Sequence, residues 1–253
     1  MNIFQAIRER IGAVIAAVFG SILVCICGAL FTFYLAPQQA LEANRIGNLP
    51  QMDASYVAAA APGADILVTG SLVDNPPISA DSQLVAYELE EWEVTQPSAD
   101  SEDTTPDGSW STVEYAAPDL ALSVNGQTLQ VLAAASLSFS GNLHEELVVG
   151  DGVETADYDG QPLPEGSLRY SGFYNGDLVT VLGTRATTGG VIPEKLYGGD
   201  RVAFEESEKD AATGLLIAGV VMLVCAPVVL IGGGLGAIFG RRQGRGFRMG
   251  RKI

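Results

Sequence analysis

The residues of this chain that could do chemistry are mostly carboxylates, with one histidine among them. The 253-residue sequence holds 30 aspartates and glutamates, 14 lysines and arginines, and the single histidine His144. A pair of carboxylates, or a histidine beside a carboxylate, can act as general acid and base in hydrolysis. No G-x-S-x-G motif is present, so a serine triad would have to be built around His144. We predict no catalytic residue, and the alternative is a hydrolase that uses carboxylates with His144 as an assistant.

Two carboxylate-rich stretches invite comparison with calcium-binding loops. SADSEDTTPDG (98–108) and DGVETADYDG (151–160) both lack the D-x-[DN]-x-[DN]-G spacing of such loops, which favours solvated carboxylates. Cys25, Cys27 and Cys225 all lie in long apolar runs, so the rest of the chain has neither a disulfide nor a thiolate zinc site. We therefore predict no metal site and no cofactor.

The elements that would position these residues begin with two apolar runs, residues 11–36 and 211–239, which contain no charged residue. At about 1.5 Å per residue, a helix of either length covers a hydrocarbon core of roughly 30 Å. Both runs are predicted to be transmembrane helices. The first is longer than the apolar region of a signal peptide, which is about 7–15 residues, so an uncleaved anchor is favoured over a cleaved leader.

Basic residues flank the two runs on their outer sides. Arg8 and Arg10 precede the first, and six arginines and lysines follow the second. Because basic flanks stay in the cytoplasm, residues 1–10 are predicted to be a cytoplasmic N-terminus and residues 240–253 a basic cytoplasmic tail in contact with anionic lipids. The protein is expected in the cell membrane, with its central domain extracytoplasmic and membrane lipids as partners.

The region between the runs, residues 37–211, is strongly acidic. It holds 29 of the 30 acidic residues and only six basic ones, a formal charge of 6 − 29 = −23. The carboxylates are spread along the whole region, which favours a solubility adaptation to high salt over a local patch that recruits a basic partner. This charge also argues against nucleic-acid binding.

Within this region, residues 37–63 are predicted to be a connector with one short helix, and residues 64–210 an acidic all-β domain. Alternating apolar and polar residues predict about seven to nine strands, arranged as a small barrel or sandwich. In SQLVAYELEEWEV (82–94) the apolar phase changes after Leu89, which predicts a β-bulge near Glu90 and Glu91.

Four shorter stretches give local predictions in the same domain. Asn125-Gly126 lies between two alternating segments and predicts a two-residue hairpin turn. NLHEELVVGDGVE (142–154) is predicted to begin as a short helix, and YDGQPLPEG (158–166) is predicted to be an irregular loop. GGDRVAFEE (198–206) is predicted to form the last strand of the domain.

Three blocks in order, set between the apolar runs, resemble the GIDE family, also called the beside-a-membrane domain. They are VTGSLVDNPPISADSQLVAYELEEWE (68–93), LALSVNGQTLQVL (120–132) and SGFYNGDLVTVLGTRA (171–186). Eukaryotic members of that family are membrane-bound ubiquitin ligases because a RING domain follows the second span. A RING needs eight Cys and His ligands, and residues 226–253 contain neither type. The resemblance therefore implies the recognition portion of the family without its ligase activity.

Small residues recur at intervals of four in both apolar runs. Gly12, Ala16 and Gly20 lie in or beside the first run, and Gly232, Gly236 and Gly240 in or beside the second. Such faces predict either packing of the two spans or formation of a homo-oligomer. The sequence as a whole predicts a non-catalytic, membrane-anchored recognition or scaffold protein with an unidentified protein partner. A regulatory subunit of a larger membrane complex is a further alternative.

Overall fold

A computed structural model describes residues 3–78, 82–97, 105–134 and 137–239. Gly240, the basic tail and most of SADSEDTTPDG lie outside these residues. The chain divides into two compact units. The helical unit contains the chain up to Asn44 and from Glu208 onward, and the β unit is Arg45–Ser207.

The helices are α1 (Ile3–Leu30), α2 (Ala36–Asn48), α3 (Ala54–Ala59) and α4 (Arg201–Phe239), with a π-helical turn at Phe31–Leu35 between α1 and α2. Two helical stretches, Val18–Asn48 and Arg201–Gly232, are long and apolar enough to cross a membrane. The connector differs from its prediction, because helix continues through α2 to Asn48 and α3 follows separately.

The prediction of a strand at GGDRVAFEE was wrong, because most of this segment is the first part of α4. Val202 and Phe204 are large apolar residues two positions apart, which is the spacing of residues on one face of a strand. Only Phe204 is buried, however, and Val202 is 71% exposed. The Asp200 carboxylate accepts a hydrogen bond from the Ala203 backbone N–H at 2.8 Å, which caps the helix at this point.

Within the helical unit, α1 and α4 approach each other at glycines. A Cβ added to Gly28 would lie 3.0 Å from the Gly219 carbonyl oxygen, and one added to Gly219 would clash with Thr32. The Ser21 hydroxyl donates to the Ala226 carbonyl at 2.8 Å across the same interface. Small residues let helix backbones come this close. By contrast, Cβ atoms added to Gly12, Gly20 or Gly232 would have no heavy atom within 4 Å, so these predicted positions do not pair the helices.

The β unit contains twelve strands in its described residues, more than the sequence predicted. They are β1 (Asp65–Leu72), β2 (Leu84–Thr95), β3 (Asp107–Ala116), β4 (Leu120–Val124), β5 (Gln127–Val131), β6 (Ser138–Gly141), β7 (His144–Val148), β8 (Thr155–Tyr158), β9 (Gln161–Pro164), β10 (Leu168–Tyr174), β11 (Leu178–Arg185) and β12 (Val191–Gly198).

Five of these strands close into a barrel in the order β11-β1-β4-β5-β12, with β12 pairing back onto β11 and β6 added beside β12. Most pairs are antiparallel, and β12 runs parallel to β5 and β6. The side chains that fill the core are mostly aliphatic and buried, such as Ile66 on β1, Leu122 on β4 and Val181 on β11. Closure of the barrel removes the exposed sheet edges that these strands would otherwise present.

A second, four-stranded antiparallel sheet has the order β3-β2-β10-β7, and β8 and β9 form a separate hairpin. A bulge lies at the predicted level, since the register of β2 against β3 shifts between Leu89 and Glu90. The extra residue is Val113 of β3, however, and β2 itself pairs with β10 without a break here. The predicted hairpin turn is also confirmed. Asn125 and Gly126 have φ angles of 50° and 81°, as a type I′ turn between β4 and β5 requires.

Two predictions in this part of the chain were wrong. The expected helix at 142–154 contains strand β7, which pairs with β10 through Val148 opposite Leu168. The expected loop at 158–166 contains strand β9, which pairs with β8 around an Asp159-Gly160 turn with φ angles of 51° and 78°. Asp-Gly is as strong a hairpin signal as Asn-Gly. The prolines of β9 obscured it, although a short edge strand tolerates proline.

Candidate functional site

A cavity of about 430 Å³ lies in the β unit, where the start of β7 meets the β10–β11 turn and the start of α4. Its polar lining comes from four side chains on three segments of the chain. The lining residues are Asn142, Leu143, His144, Asp177, Leu178, Gly198, Gly199, Asp200 and Ala203. A concave site with a few convergent polar groups is the usual form of a small-molecule site, so this cavity is the candidate functional site.

His144 and Asp177 form the chemical centre of the cavity. His144 Nε2 lies 3.1 Å from Asp177 Oδ1, and the other carboxylate oxygen of Asp177 accepts the Tyr174 backbone N–H at 2.7 Å. The second bond fixes the carboxylate at the turn between β10 and β11. The side chain of His144 is 44% exposed and that of Asp177 is 23% exposed, so both reach solvent from a held position.

Tyr174 holds the other side of the imidazole ring. Its ring stacks on His144 with centroids 4.0 Å apart and planes 11° from parallel. The Tyr174 hydroxyl donates to Glu146 Oε1 at 2.9 Å, and this bond is the main reason why the pKa of Tyr174 is raised. Because deprotonation of the tyrosine would break the bond and place two anions side by side, the neutral phenol is favoured.

The arrangement can position an imidazole beside a carboxylate. None of the nine residues that line the cavity carries a hydroxyl or a thiol, so a covalent nucleophile among them would have to be a carboxylate or the imidazole itself. The carboxylate of Asp200 also caps α4. The His144–Asp177 pair could act on a bound water or on a substrate proton.

Two of the aspartates weighed as calcium ligands lie at the turn between β8 and β9. Asp157 accepts the Gly160 backbone N–H at 3.2 Å within the β8–β9 turn, and Asp159 is the turn residue with positive φ. Across the described parts of the chain, no three His, Cys, Asp or Glu side chains lie together in a way that could hold a metal ion. The three cysteines are free thiols.

An aromatic cluster that sequence reasoning missed lies beneath the β8–β9 hairpin. Trp92 and Trp110 are opposed on β2 and β3, and Tyr158 contacts both rings at 5.4 and 5.5 Å. The Arg169 guanidinium lies 4.5 Å from the Trp110 ring centroid and pairs with Glu90 at 2.7 Å. The two tryptophans were visible in the sequence, but only strand register brings them together. This cluster is a packed core rather than a cavity.

The sequence assigned no catalytic, cofactor or metal residue, and its one named alternative, His144, lies in the cavity. Sequence reasoning did not connect His144 with Asp177, which is 33 positions away. A signal existed in the stretch YNGD (174–177), a glycine turn that ends in an aspartate. No model of a known protein family matches this chain, and no match is found among curated proteins or solved structures.

Proposed function

We propose that this protein is a membrane-anchored, non-catalytic recognition or scaffold protein with an extracytoplasmic β unit and two cytoplasmic termini. The observation that carries the proposal is the pair of long apolar helical stretches that bracket one folded β unit in the sequence. Positively charged residues before the first and after the second set the orientation. Membrane anchors on both sides of a folded unit suit a protein whose folded unit binds a partner close to the membrane.

The side chains of the helical unit fit this role. Several large apolar residues point away from the helix interface, including Phe19 at 70%, Leu23 at 64% and Val224 at 62% exposure. Exposed apolar surface of this extent is normal in lipid and unfavourable in water. The contacts between Gly28 and Gly219 and between Ser21 and Ala226 are of the small-residue and hydroxyl types that join helices in lipid.

The resemblance to the GIDE family supports the proposed recognition function. Three sequence blocks carry that resemblance. Recognition at the membrane is the part of the family's function proposed for this chain. A Cβ added to Gly232 would have no heavy atom within 4 Å, so the small-residue face to which Gly232 belongs is proposed as a surface for homo-oligomer formation.

Topology can be tested by labelling single cysteines in intact cells. Cys25, Cys27 and Cys225 are first replaced by alanine, and a cysteine is then placed at Val153, which is 98% exposed, or at Gln243 in the tail. A membrane-impermeant thiol reagent should label V153C directly and Q243C only after permeabilisation. The reverse pattern would overturn the orientation. Release of the protein from membranes by a carbonate wash would overturn the anchoring itself.

A second candidate function is an extracytoplasmic hydrolase, favoured by the His144–Asp177 pair at the cavity. The purified full chain can be assayed on simple ester and phosphoester substrates, with H144A and D177N as variants. E206Q is the matched control because Glu206 is an exposed carboxylate on α4. The recognition proposal expects no turnover that depends on His144. Turnover that is lost in H144A and D177N but retained in E206Q would establish the hydrolase instead.

A further inference from the structure

One face of the four-stranded sheet is built from all four of its strands. The register places Glu114, Leu89, Tyr170 and Glu146 opposite one another in one row across β3, β2, β10 and β7. The neighbouring row contains Ala116, Tyr87, Gly172 and His144. Directly opposed residues in a sheet project to the same side. We call these two rows, with Tyr174, the outward sheet face, since Ala86 and Phe173 on the other side are buried in the barrel core.

Three tyrosines make the outward sheet face aromatic. The rings of Tyr87 and Tyr170 meet edge to face at 5.2 Å, and Tyr174 stacks on His144. All three are half-buried, so each ring is held by neighbours and still partly exposed. Tyrosines held in this way provide contact area at little cost in side-chain entropy, which is why they are enriched in binding surfaces.

The charge of the outward sheet face is negative. Glu114 is exposed at one end of its row and Glu146 lies at the other. Glu114 lies diagonally across the β2–β3 pair from Tyr87. Burial raises the pKa of Tyr87, and the negative charge of Glu114 raises it further. The nine residues of the face include no lysine or arginine. The neighbouring Arg169 points to the opposite side of the sheet, where it pairs with Glu90.

The distance between the two glutamates limits which ligands could contact both of them at the same time. Three intervals of about 4.8 Å separate β3 from β7, so Glu114 and Glu146 are about 14 Å apart across the sheet. One ammonium group, whether from a small amine or a lipid head group, cannot reach both. An extended polypeptide advances about 13 Å in four residues, and residues i and i+4 lie on the same side. Two basic side chains at that spacing match the two carboxylates.

We propose that the outward sheet face is a docking surface for an extended segment of another protein that carries lysine or arginine at positions i and i+4. The two cations pair with Glu114 and Glu146, and residue i+2 lies over Leu89 and Tyr170. Carboxylates and aromatic rings together favour guanidinium and ammonium groups, and the complementary charge selects the partner. This inference rests on the proposed recognition function, because it names the surface and the chemistry of the partner.

The test measures the binding of short labelled peptides to the purified full chain in a non-ionic detergent by fluorescence anisotropy. The probe is an extended Gly/Ser peptide with arginines at i and i+4. Matched peptides carry the two arginines side by side or two glutamates at i and i+4. The i, i+4 arginine peptide should bind best and the glutamate peptide should not bind.

Variants of the protein separate this face from general attraction to an acidic domain. E114Q and E146Q should each weaken binding about two- to fivefold, the effect expected of one solvent-exposed ion pair. Y170L should weaken binding by a similar factor because it removes the aromatic ring. Leucine keeps an apolar side chain at this position, so the loss of the ring is the main change. E206Q and Y56L are the matched controls, since Glu206 and Tyr56 are exposed on α4 and α3. Circular dichroism verifies that each variant is folded.

Several results would overturn the proposal. The proposal is wrong if the i, i+4 arginine peptide does not bind or if both arginine peptides bind equally well. It is also wrong if E114Q and E206Q lose the same amount of peptide affinity. Displacement of the peptide by phosphatidylcholine nanodiscs would assign the face to lipid head groups. A change of oligomeric state in Y170L would assign it to a second copy of this chain. Because these measurements use detergent-purified protein, their failure leaves the cysteine-labelling result, and thus the membrane proposal, unaffected.

Discussion

At the scale of single residues, the most specific arrangement is the group formed by His144, Asp177, Tyr174 and Glu146. Asp177 bonds to the imidazole and to the backbone of Tyr174, while Tyr174 stacks on the same imidazole and bonds to Glu146. His144, Asp177 and Tyr174 are thus each held by at least two neighbours, which fixes the ring of His144 at the mouth of the cavity. The same group joins the cavity to the outward sheet face.

The bond between Tyr174 and Glu146 should be visible in a spectrophotometric titration of tyrosine. The pKa of Tyr174 is raised in the folded chain, so the stability that the bond provides is complete below the ordinary tyrosine value of 10.0 and is lost as pH rises through the raised value. We expect late-titrating tyrosinate absorbance to diminish in Y174F. In E146Q the pKa of Tyr174 should fall toward its ordinary value.

Tyr56→Phe is the matched control for this titration, because Tyr56 is exposed on α3. The Tyr174–Glu146 bond is intact in the Y56F variant, so replacing Glu146 by glutamine should alter the titration in that background as well. If E146Q left the titration curve of the folded protein unaltered, the Tyr174–Glu146 bond would not be the cause of the raised pKa.

At the scale of elements, the pairing of α1 with α4 depends on two glycines and a hydroxyl. Gly28 and Gly219 meet at the closest approach, and Ser21 bonds to the Ala226 carbonyl. Gly12, Gly20 and Gly232 have the spacing expected of a packing face but are free of contacts within the helical unit. Spacing alone does not identify the interface, because glycine is common throughout helices of this composition.

Valine at Gly219 should destabilise the helical unit, whereas valine at Gly232 should not. A Cβ at Gly219 would clash with Thr32, and overpacking of this kind typically costs about 1–3 kcal/mol. Thermal unfolding of the purified full chain in detergent measures the difference. We expect a lower midpoint for G219V and a midpoint near that of the unmodified protein for G232V.

The same pair of variants tests the oligomer. If Gly232 lies on a homo-oligomer surface, G232V should reduce the molar mass measured by light scattering in detergent without lowering the thermal midpoint. Equal thermal loss in both variants would show that the interface lies elsewhere than at Gly28 and Gly219.

At the scale of the whole molecule, the dominant feature is an acidic region that has few cations. Between residues 37 and 211 there are 29 carboxylates and six basic residues, so most carboxylates cannot be paired. Arg169 and Arg201 each bond to one glutamate, and Arg185 donates to backbone carbonyls instead. Self-repulsion among the remaining charges opposes the compact state.

Added salt should therefore stabilise the β unit. The Debye length falls from about 8 Å at 0.15 M to about 3 Å at 1 M, which screens repulsion between neighbouring surface carboxylates. We expect the urea midpoint of the full chain in detergent to rise with NaCl and to rise equally with KCl. A midpoint that is independent of salt would contradict the interpretation of the charge as a high-salt adaptation. A large difference between the two chlorides would indicate a specific cation site.

The sequence by itself determined the features that depend on neighbouring residues. Runs of more than twenty uncharged, apolar residues form long helices, although the first includes a π-helical turn and the second contains Pro227. The Asn125-Gly126 turn forms because both residues tolerate positive φ. In each case the physical cause lies within a few residues of its effect.

Only the tertiary structure decided the features that depend on distant partners. β7 is a strand because β10 supplies its hydrogen bonds, and 201–206 is helical because Phe204 packs against Leu67 and Leu182 while Asp200 caps the helix. The His144–Asp177 pair and the two rows of the outward sheet face likewise require the registers of β7, β10, β2 and β3. Strand register is fixed by the simultaneous pairing of segments far apart in the chain, so it cannot be read from any one of them.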